Sequence, residues 1–152
     1  MVVHFKLAWL KPGTPPSKAF KTPAASTLFQ EYTARLSKFT GCQTSAFGQN
    51  FSPAGQGIKR WICDRGPGFE MPDSAGLAKK IQTFELSGVR ELQIVIGGPD
   101  GFKAGDLKQM HPDMRWCFGP LTLPHELAAI LAGEQAYRAW TILRNHPYHQ
   151  GH

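Results

Sequence analysis

The hydrophobic period of this chain changes several times, and the changes mark out its elements. From Val2 to Leu10 apolar and polar residues alternate, with Val3, Phe5, Leu7 and Trp9 on one face, as expected of a first strand. Leu28, Tyr32, Leu36 and Phe39 then recur at helical spacing before Gly41. Thr27 with Gln30 three residues on has the form of a capping box, so a first helix is predicted from Leu28 to Phe39. Cys42 to Phe47 and Ile58 to Cys63 suit two further strands. Leu77, Ile81 and Phe84 mark a second helix, opened near Asp73 or Ser74 and stopped by Gly88. Glu91 to Ile96 is short, apolar and bounded by glycines, the pattern of a strand buried on both faces of a parallel sheet. Met114 to Phe118 reads as a fifth strand. From Pro124 to Arg144 only Gly133 weakens a helix of roughly 30 Å. The first half of that helix, Leu127 to Ala132, is apolar almost all round and needs cover on two sides, with a second subunit as a natural candidate. Strands alternating with helices predict an α/β fold with a mainly parallel sheet in one domain, residues 1–152.

Between these elements lie segments without a period. Residues 11–26 hold Pro12, Pro15, Pro16 and Pro23 with Lys11, Lys18 and Lys21, which predicts a mobile basic loop. Residues 48–57 offer only loop residues, residues 102–112 are weakly patterned, and residues 145–152 form a C-terminal tail. The formal net charge of +6, with a sequence pI near 9.4, favours a polyanionic partner. Cys42, Cys63 and Cys117 are widely spaced, without C-x-x-C or zinc-ligand spacing, and read as reduced core thiols. The apolar runs are too short for a membrane span. Lys6 within the first apolar stretch argues against a signal peptide, so a cytoplasmic protein is expected. Neither the dinucleotide fingerprint G-x-G-x-x-G nor a phosphate loop occurs.

Candidate chemistry concentrates after residue 90. Gly97-Gly98-Pro99-Asp100-Gly101 follows the fourth strand directly and, taken alone, is a tight turn. Glu134, Arg138, Thr141 and Asn145 share one helical stripe, either a surface Glu134–Arg138 pair or a functional row. His146, His149 and His152 have a spacing that suggests a metal site. Pro147 excludes one continuous helix and no carboxylate or cysteine lies near in sequence, so no metal is expected. His125, beside Pro124, is expected to satisfy helix-end amides, and Trp140 to belong to the core.

Four motifs, Val95-Ile96-Gly97-Gly98-Pro99-Asp100-Gly101, Leu121-Thr122-Leu123-Pro124-His125, Tyr137-Arg138-Ala139-Trp140 and Asn145-His146-Pro147-Tyr148-His149, occur in this order and at these separations. Together they resemble the bacterial ribosomal RNA large-subunit methyltransferase H family; the N-terminal half matches only in outline. The resemblance implies a trefoil-knotted SPOUT fold, S-adenosyl-L-methionine as methyl donor, N3 of a pseudouridine in 23S ribosomal RNA as target, the ribosome as partner, and a homodimer. It also implies a cofactor pocket of main-chain groups from Cys63, Gly97 and the segment Phe118, Gly119, Pro120, Leu121, Thr122 and Leu123. Arg138, Tyr148 and His149 would be catalytic, with Arg138 holding the base or a phosphate and His149 acting as proton acceptor or substrate contact. Two features depart from the family. Residues 48–57 make a shorter connection than its members have, which should bare one sheet face or remodel the dimer. Gln150 stands where the family has a basic residue, which should weaken RNA binding. A knotted methyltransferase of transfer RNA and a non-catalytic RNA-binding member remain open as alternatives.

Overall fold

The computed structural model describes residues 1–48 and 51–150, so two positions of the 48–57 connection and His152 of the histidine spacing lie outside the described residues. The elements are β1 (Val2–Leu7), α1 (Pro23–Leu36), β2 (Gly41–Ala46), β3 (Ile58–Cys63), α2 (Ser74–Leu86), β4 (Glu91–Ile96), α3 (Ala104–Met110), β5 (Met114–Trp116) and α4 (His125–Leu143). Short 3-10 turns occupy Pro16–Lys18 and Pro147–His149. The strands form one parallel sheet in the order β2-β1-β4-β3-β5, with β4 at its centre.

Alternation along each strand sorts the sheet into two unlike faces. Val3, Phe5 and Leu7 of β1 share the main core with Leu92, Ile94 and Ile96 of β4 and with Trp61 of β3. Phe29 and Leu36 of α1, Leu77 and Ile81 of α2, and Ala129, Ala136 and Trp140 of α4 cover that face. On the opposite face only the strand ends are apolar. There Ile62 and Val95 pack with Phe47 and with Leu107 and Met110 of α3.

The rest of this second face is polar and satisfies itself. In register across β1, β4 and β3 stand His4, Gln93 and Arg60. His4 Nδ1 lies 3.0 Å from Glu91 Oε1 and its Nε2 lies 2.7 Å from Ser45 Oγ. Gln93 donates to Glu91 Oε2, and buried Arg60 donates to Gln93 Oε1 and to the Ser52 carbonyl, with its guanidinium over the Phe47 ring. The expectation that β4 is buried on both faces therefore holds only beyond Gln93. Among the described residues of the 48–57 connection there is no helix.

Other boundaries shift for local reasons. Helix α1 begins at Pro23, not Leu28, because proline at the first helical position is pre-organised and gives up no intrahelical bond. Thr27 and Gln30 lie inside the helix, where Gln30 donates to Ser26 Oγ instead of closing a capping box. Strand β1 stops at Leu7, since Leu10 N–H turns back to the Leu7 carbonyl and takes Trp9 out of the strand. Helix α2 opens as expected, with Asp73 accepting from Gly76 N–H at 2.7 Å. Helix α3 occupies part of the weakly patterned stretch 102–112, and β5 ends at Trp116 instead of Phe118.

Candidate functional site

A cleft of about 660 Å³ opens at the carboxyl ends of β3 and β4, the edge of an open α/β sheet where ligands are usually received. Its walls are Cys63 to Arg65, the turn Gly97 to Phe102, the segment from Cys117 toward α4, and the first turns of α4. The turn is tight: Gly101 N–H donates to the Gly98 carbonyl at 3.0 Å, and Gly101 has φ +65, a left-handed conformation that a side chain resists. A Cβ on Gly97 would meet the Phe102 ring at 3.3 Å and the Cys63 carbonyl at 3.5 Å.

Asp64 ties the two walls together. Its Oδ1 accepts from Arg65 N–H and its Oδ2 from Phe102 N–H, each at 2.9 Å. Across the cleft, Cys117 N–H donates to the Glu70 carbonyl and Cys117 Sγ to the Gly119 carbonyl. Beyond that point the main-chain N–H groups of Phe118, Gly119, Leu121, Thr122 and Leu123 donate to no protein acceptor among the described residues. These residues are half-buried or exposed, so their N–H groups face solvent along the cleft and are free to pair with a ligand rich in acceptors. Of the residues expected around a cofactor, Cys63, Gly97, Phe118, Gly119, Leu121, Thr122 and Leu123 line this cleft, whereas Pro120 lines the neighbouring hollow with Phe69 and Met71.

His125 does not cap α4. No side chain bonds the helix start, and the imidazole instead sits edge-on to Trp9 with ring centroids 4.5 Å apart. Trp140 is fully buried in the core, and its indole N–H finds no acceptor among the described residues.

A second cluster lies farther along α4. The helix ends in a Schellman turn: Asn145 adopts φ 55, its N–H donates to the Ile142 carbonyl, and His146 N–H donates to the Thr141 carbonyl. This reversal folds the tail back on the helix. Glu134 Oε1 accepts from Arg138 Nε at 3.0 Å, from Arg138 Nη2 at 2.6 Å and from the Tyr148 hydroxyl at 3.0 Å. Arg138 Nη1 lies 3.1 Å from His149 Nδ1, and its guanidinium stacks 4.8 Å from the Tyr148 ring centre. The Glu134–Arg138 pair is only 13% and 12% exposed, so it is not the surface pair that spacing alone allowed. Thr141 and Asn145, on the same predicted stripe, stay outside the cluster: Thr141 donates to the Arg138 carbonyl and Asn145 shapes the turn.

Protonation follows from these contacts. Burial pushes the Tyr148 hydroxyl pKa up, and its hydrogen bonds to Glu134 and Tyr32 push the same way, so it stays a neutral donor. Burial opposes the charge on Arg138, but the Glu134 carboxylate outweighs it and holds the guanidinium pKa above its ordinary value. An arginine N–H can only donate, so His149 Nδ1 accepts and a neutral ring carries its proton on Nε2.

The two groups of residues do not meet within one chain. From Ala128, on the cleft wall, to Arg138 is ten residues of α4, about 15 Å along the axis and about 80° around it. None of Glu134, Arg138, Tyr148 and His149 lines the cleft.

A parallel sheet with a cleft of main-chain donors at its carboxyl edge and a polar cluster on its last helix agrees with what sequence comparison finds. A family model described as "Predicted SPOUT methyltransferase" matches residues 62–149, and the chain belongs to the SPOUT methyltransferase family. Among curated proteins, it is similar to the ribosomal RNA large subunit methyltransferase H of Saccharophagus degradans, 49% identical over 74 residues, which cover 49% of this chain and 46% of that protein. The enzymes of the same name from Teredinibacter turnerae and Thioalkalivibrio sulfidiphilus are 47% identical over 74 residues and 40% identical over 77 residues, covering 49% and 51% of this chain and 45% and 47% of theirs. The chain thus spans about half the length of the curated relatives it matches.

Proposed function

We propose that this protein transfers a methyl group from S-adenosyl-L-methionine to N3 of a pseudouridine in large-subunit ribosomal RNA, working as a homodimer on the ribosome. The names of its relatives support the reaction class and the RNA. The carrying observation is the separation within the chain: the cleft suited to the cofactor and the cluster suited to the base lie about 15 Å apart on one rigid helix. The family's trefoil knot belongs to this reading.

The cleft residues fit the donor molecule. The volume is that of a small-molecule site, the glycines at 97 and 101 stand where a Cβ would crowd the walls, and the N–H groups of Phe118, Gly119, Leu121, Thr122 and Leu123 can take the acceptors of a purine. When bound there, S-adenosyl-L-methionine supplies a methyl group already activated by its sulfonium. The chain's own part is to hold the target nitrogen in line and to favour its anion. Losing the N3 proton to solvent water leaves negative charge on an imide, which Arg138 is placed to stabilise, fixed by Glu134 and with guanidinium N–H groups to spare. Of the two roles open to His149, the contact from Arg138 favours the substrate contact, with Nε2–H donating to a base carbonyl. Tyr148 positions the cation through its ring and through Glu134.

An isologous dimer brings the halves together. The outer stripe of α4 runs from Leu127, 42% exposed, through Leu131 and Glu134 to Arg138, and Leu121 and Met71 are exposed nearby in sequence or along the adjoining hollows. Two such helices packed antiparallel about an axis midway between Ala128 and Arg138 set the cluster of each copy against the cleft of the other. The polar second face of the sheet is the one opposite α4, so the 48–57 connection does not enter this interface.

The test is transfer of labelled methyl from S-adenosyl-L-methionine to ribosomes lacking the modification, with mapping of the labelled nucleotide. Label on a single large-subunit pseudouridine is the expected result. Label on transfer RNA, or cofactor binding without transfer to any RNA, overturns the substrate assignment.

A further inference from the structure

The segment between β1 and α1 plays no part in the reading above, yet it is built onto the cleft. It leaves β1 at the same carboxyl edge of the parallel sheet as the cleft. It is not the structureless loop its prolines suggested: a 3-10 turn spans Pro16–Lys18, Ala19 is buried, and the helix start at Pro23 shortens it. Trp9 is the anchor. Its ring stands edge-on to His125 at 4.5 Å and to Phe20 at 6.1 Å, and its indole N–H donates to the Ala19 carbonyl at 2.6 Å. On the other side, a Cβ on Gly98 would lie 3.4 Å from Trp9 Cβ. Both His125 and Gly98 line the cleft, so one indole joins the cleft wall to the segment. A second tie runs from Thr22 N–H to Glu126 Oε1 in the first turn of α4.

This anchored segment displays Lys11, Lys18 and Lys21, all exposed and none in an ion pair among the described residues. Arg35, Lys59, Lys80, Arg138 and Arg144 each have a carboxylate partner, whereas Lys38, Lys79 and Lys108 are exposed and unpaired like these three but do not lie on the segment that Trp9 pins to the cleft. The carboxylate that reaches the segment, Glu126, accepts from its backbone. Exposed, unpaired cations on a backbone pinned beside a cleft are suited to a fixed array of anions, because ordering the segment was completed in folding and is not charged against binding.

We propose that Lys11, Lys18 and Lys21 form a phosphate-docking surface for the RNA substrate, held at the rim of the cofactor cleft by Trp9. The proposal rests on the reading that the chain acts on RNA, and names the surface that receives the strand flanking the target base. Each lysine that neutralises a phosphate releases counterions, so their joint loss flattens the dependence of log affinity on log salt by about two to three.

The experiment compares Lys11→Gln/Lys18→Gln/Lys21→Gln with Lys38→Gln/Lys79→Gln/Lys108→Gln, which removes the same charge from exposed sites on other elements. Binding to unmethylated ribosomes and to protein-free 23S ribosomal RNA is followed by filter retention between about 50 and 200 mM salt. Calorimetry with S-adenosyl-L-methionine serves as the check on folding. The expected result is a slope lowered by about two to three in the first variant and nearly unchanged in the second, with equal cofactor affinity. An unchanged slope in the first variant, or equal loss in both, overturns the docking surface. If the wild-type chain binds RNA through these lysines but methylates no large-subunit pseudouridine, the substrate assignment fails and the docking surface stands. A chain with no salt-dependent affinity for either RNA overturns both.

Discussion

If the two halves of the site belong to different copies, two inactive variants should repair one another. Gly97→Val acts on the cleft: the Cβ position already meets Phe102 at 3.3 Å and the Cys63 carbonyl at 3.5 Å, so two further methyls drive Phe102 into the space it lines. Arg138→Ala acts on the cluster and leaves the cleft intact, because about 15 Å of helix separates them. It should bind S-adenosyl-L-methionine near normally while losing transfer by about a hundredfold or more, the usual consequence of removing a cation aimed at developing charge. Unfolded together at equal concentration and refolded, the variants form mixed dimers in about half of all pairings. Each mixed dimer has one site carrying both lesions and one carrying neither, so the mixture should recover about one quarter of wild-type activity. The assay is labelled methyl transfer to unmethylated ribosomes, with mixed dimers isolated through two different affinity tags. Isolated mixed dimers without activity would refute the shared site, since they prove pairing while denying complementation. Loss of cofactor binding in Arg138→Ala would refute the division of labour between cluster and cleft.

Glu134→Gln keeps the size of the side chain but removes the charge facing Arg138, and should lower stability in urea by about 1–3 kcal/mol and reduce transfer without weakening cofactor binding. Gly101→Ala forces a left-handed residue and brings a methyl to 3.0 Å from Asp64 Oδ2, so calorimetry should show weaker cofactor binding and thermal melts a loss of about 1–2 kcal/mol. Burial pushes the Cys42 thiol up to about 11 and, with the Asp64 charge adding to it, the Cys63 thiol well above its ordinary value. A thiol reagent at about pH 8 should therefore label only Cys117 in the folded protein, and S-adenosyl-L-methionine should slow that labelling because Cys117 lines the cleft. Burial lowers the His4 pKa against the upward pull of Glu91, so the fold favours the neutral ring. That contribution is complete above the unfolded value of about 6.5 and is lost as pH falls below it, and urea titrations should show His4→Gln flattening this part of the stability profile.

What could be read from the chain follows the range of the forces involved. Strand β1 was legible because alternation is local, β4 because a short apolar run between glycines is, and α4 because only Gly133 opposes a helix there. Helix α3 escaped because a seven-residue helix with Leu107 and Met110 as its buried residues is too short to show a period. The start of α1 escaped because Pro23 reads equally as breaker or first helical residue, and only its context decides. Asp64 had no signature at all, since the Phe102 N–H that it holds lies 38 positions away. The stripe on α4 announced Glu134 and Arg138, but their enclosure depends on Asn145 turning left-handed and returning Tyr148 and His149 to the helix. The most consequential distance depends on the helix: α4 contributes His125 and Ala128 to the cleft wall and Arg138 to the cluster, and as a rigid rod it keeps the two apart. A continuous α4 cannot bend to close that gap, and it also leaves Leu127 exposed and Leu131 only half-buried by its own chain. On the proposed dimer, the same helix divides the site and carries the surface by which a second copy would restore it.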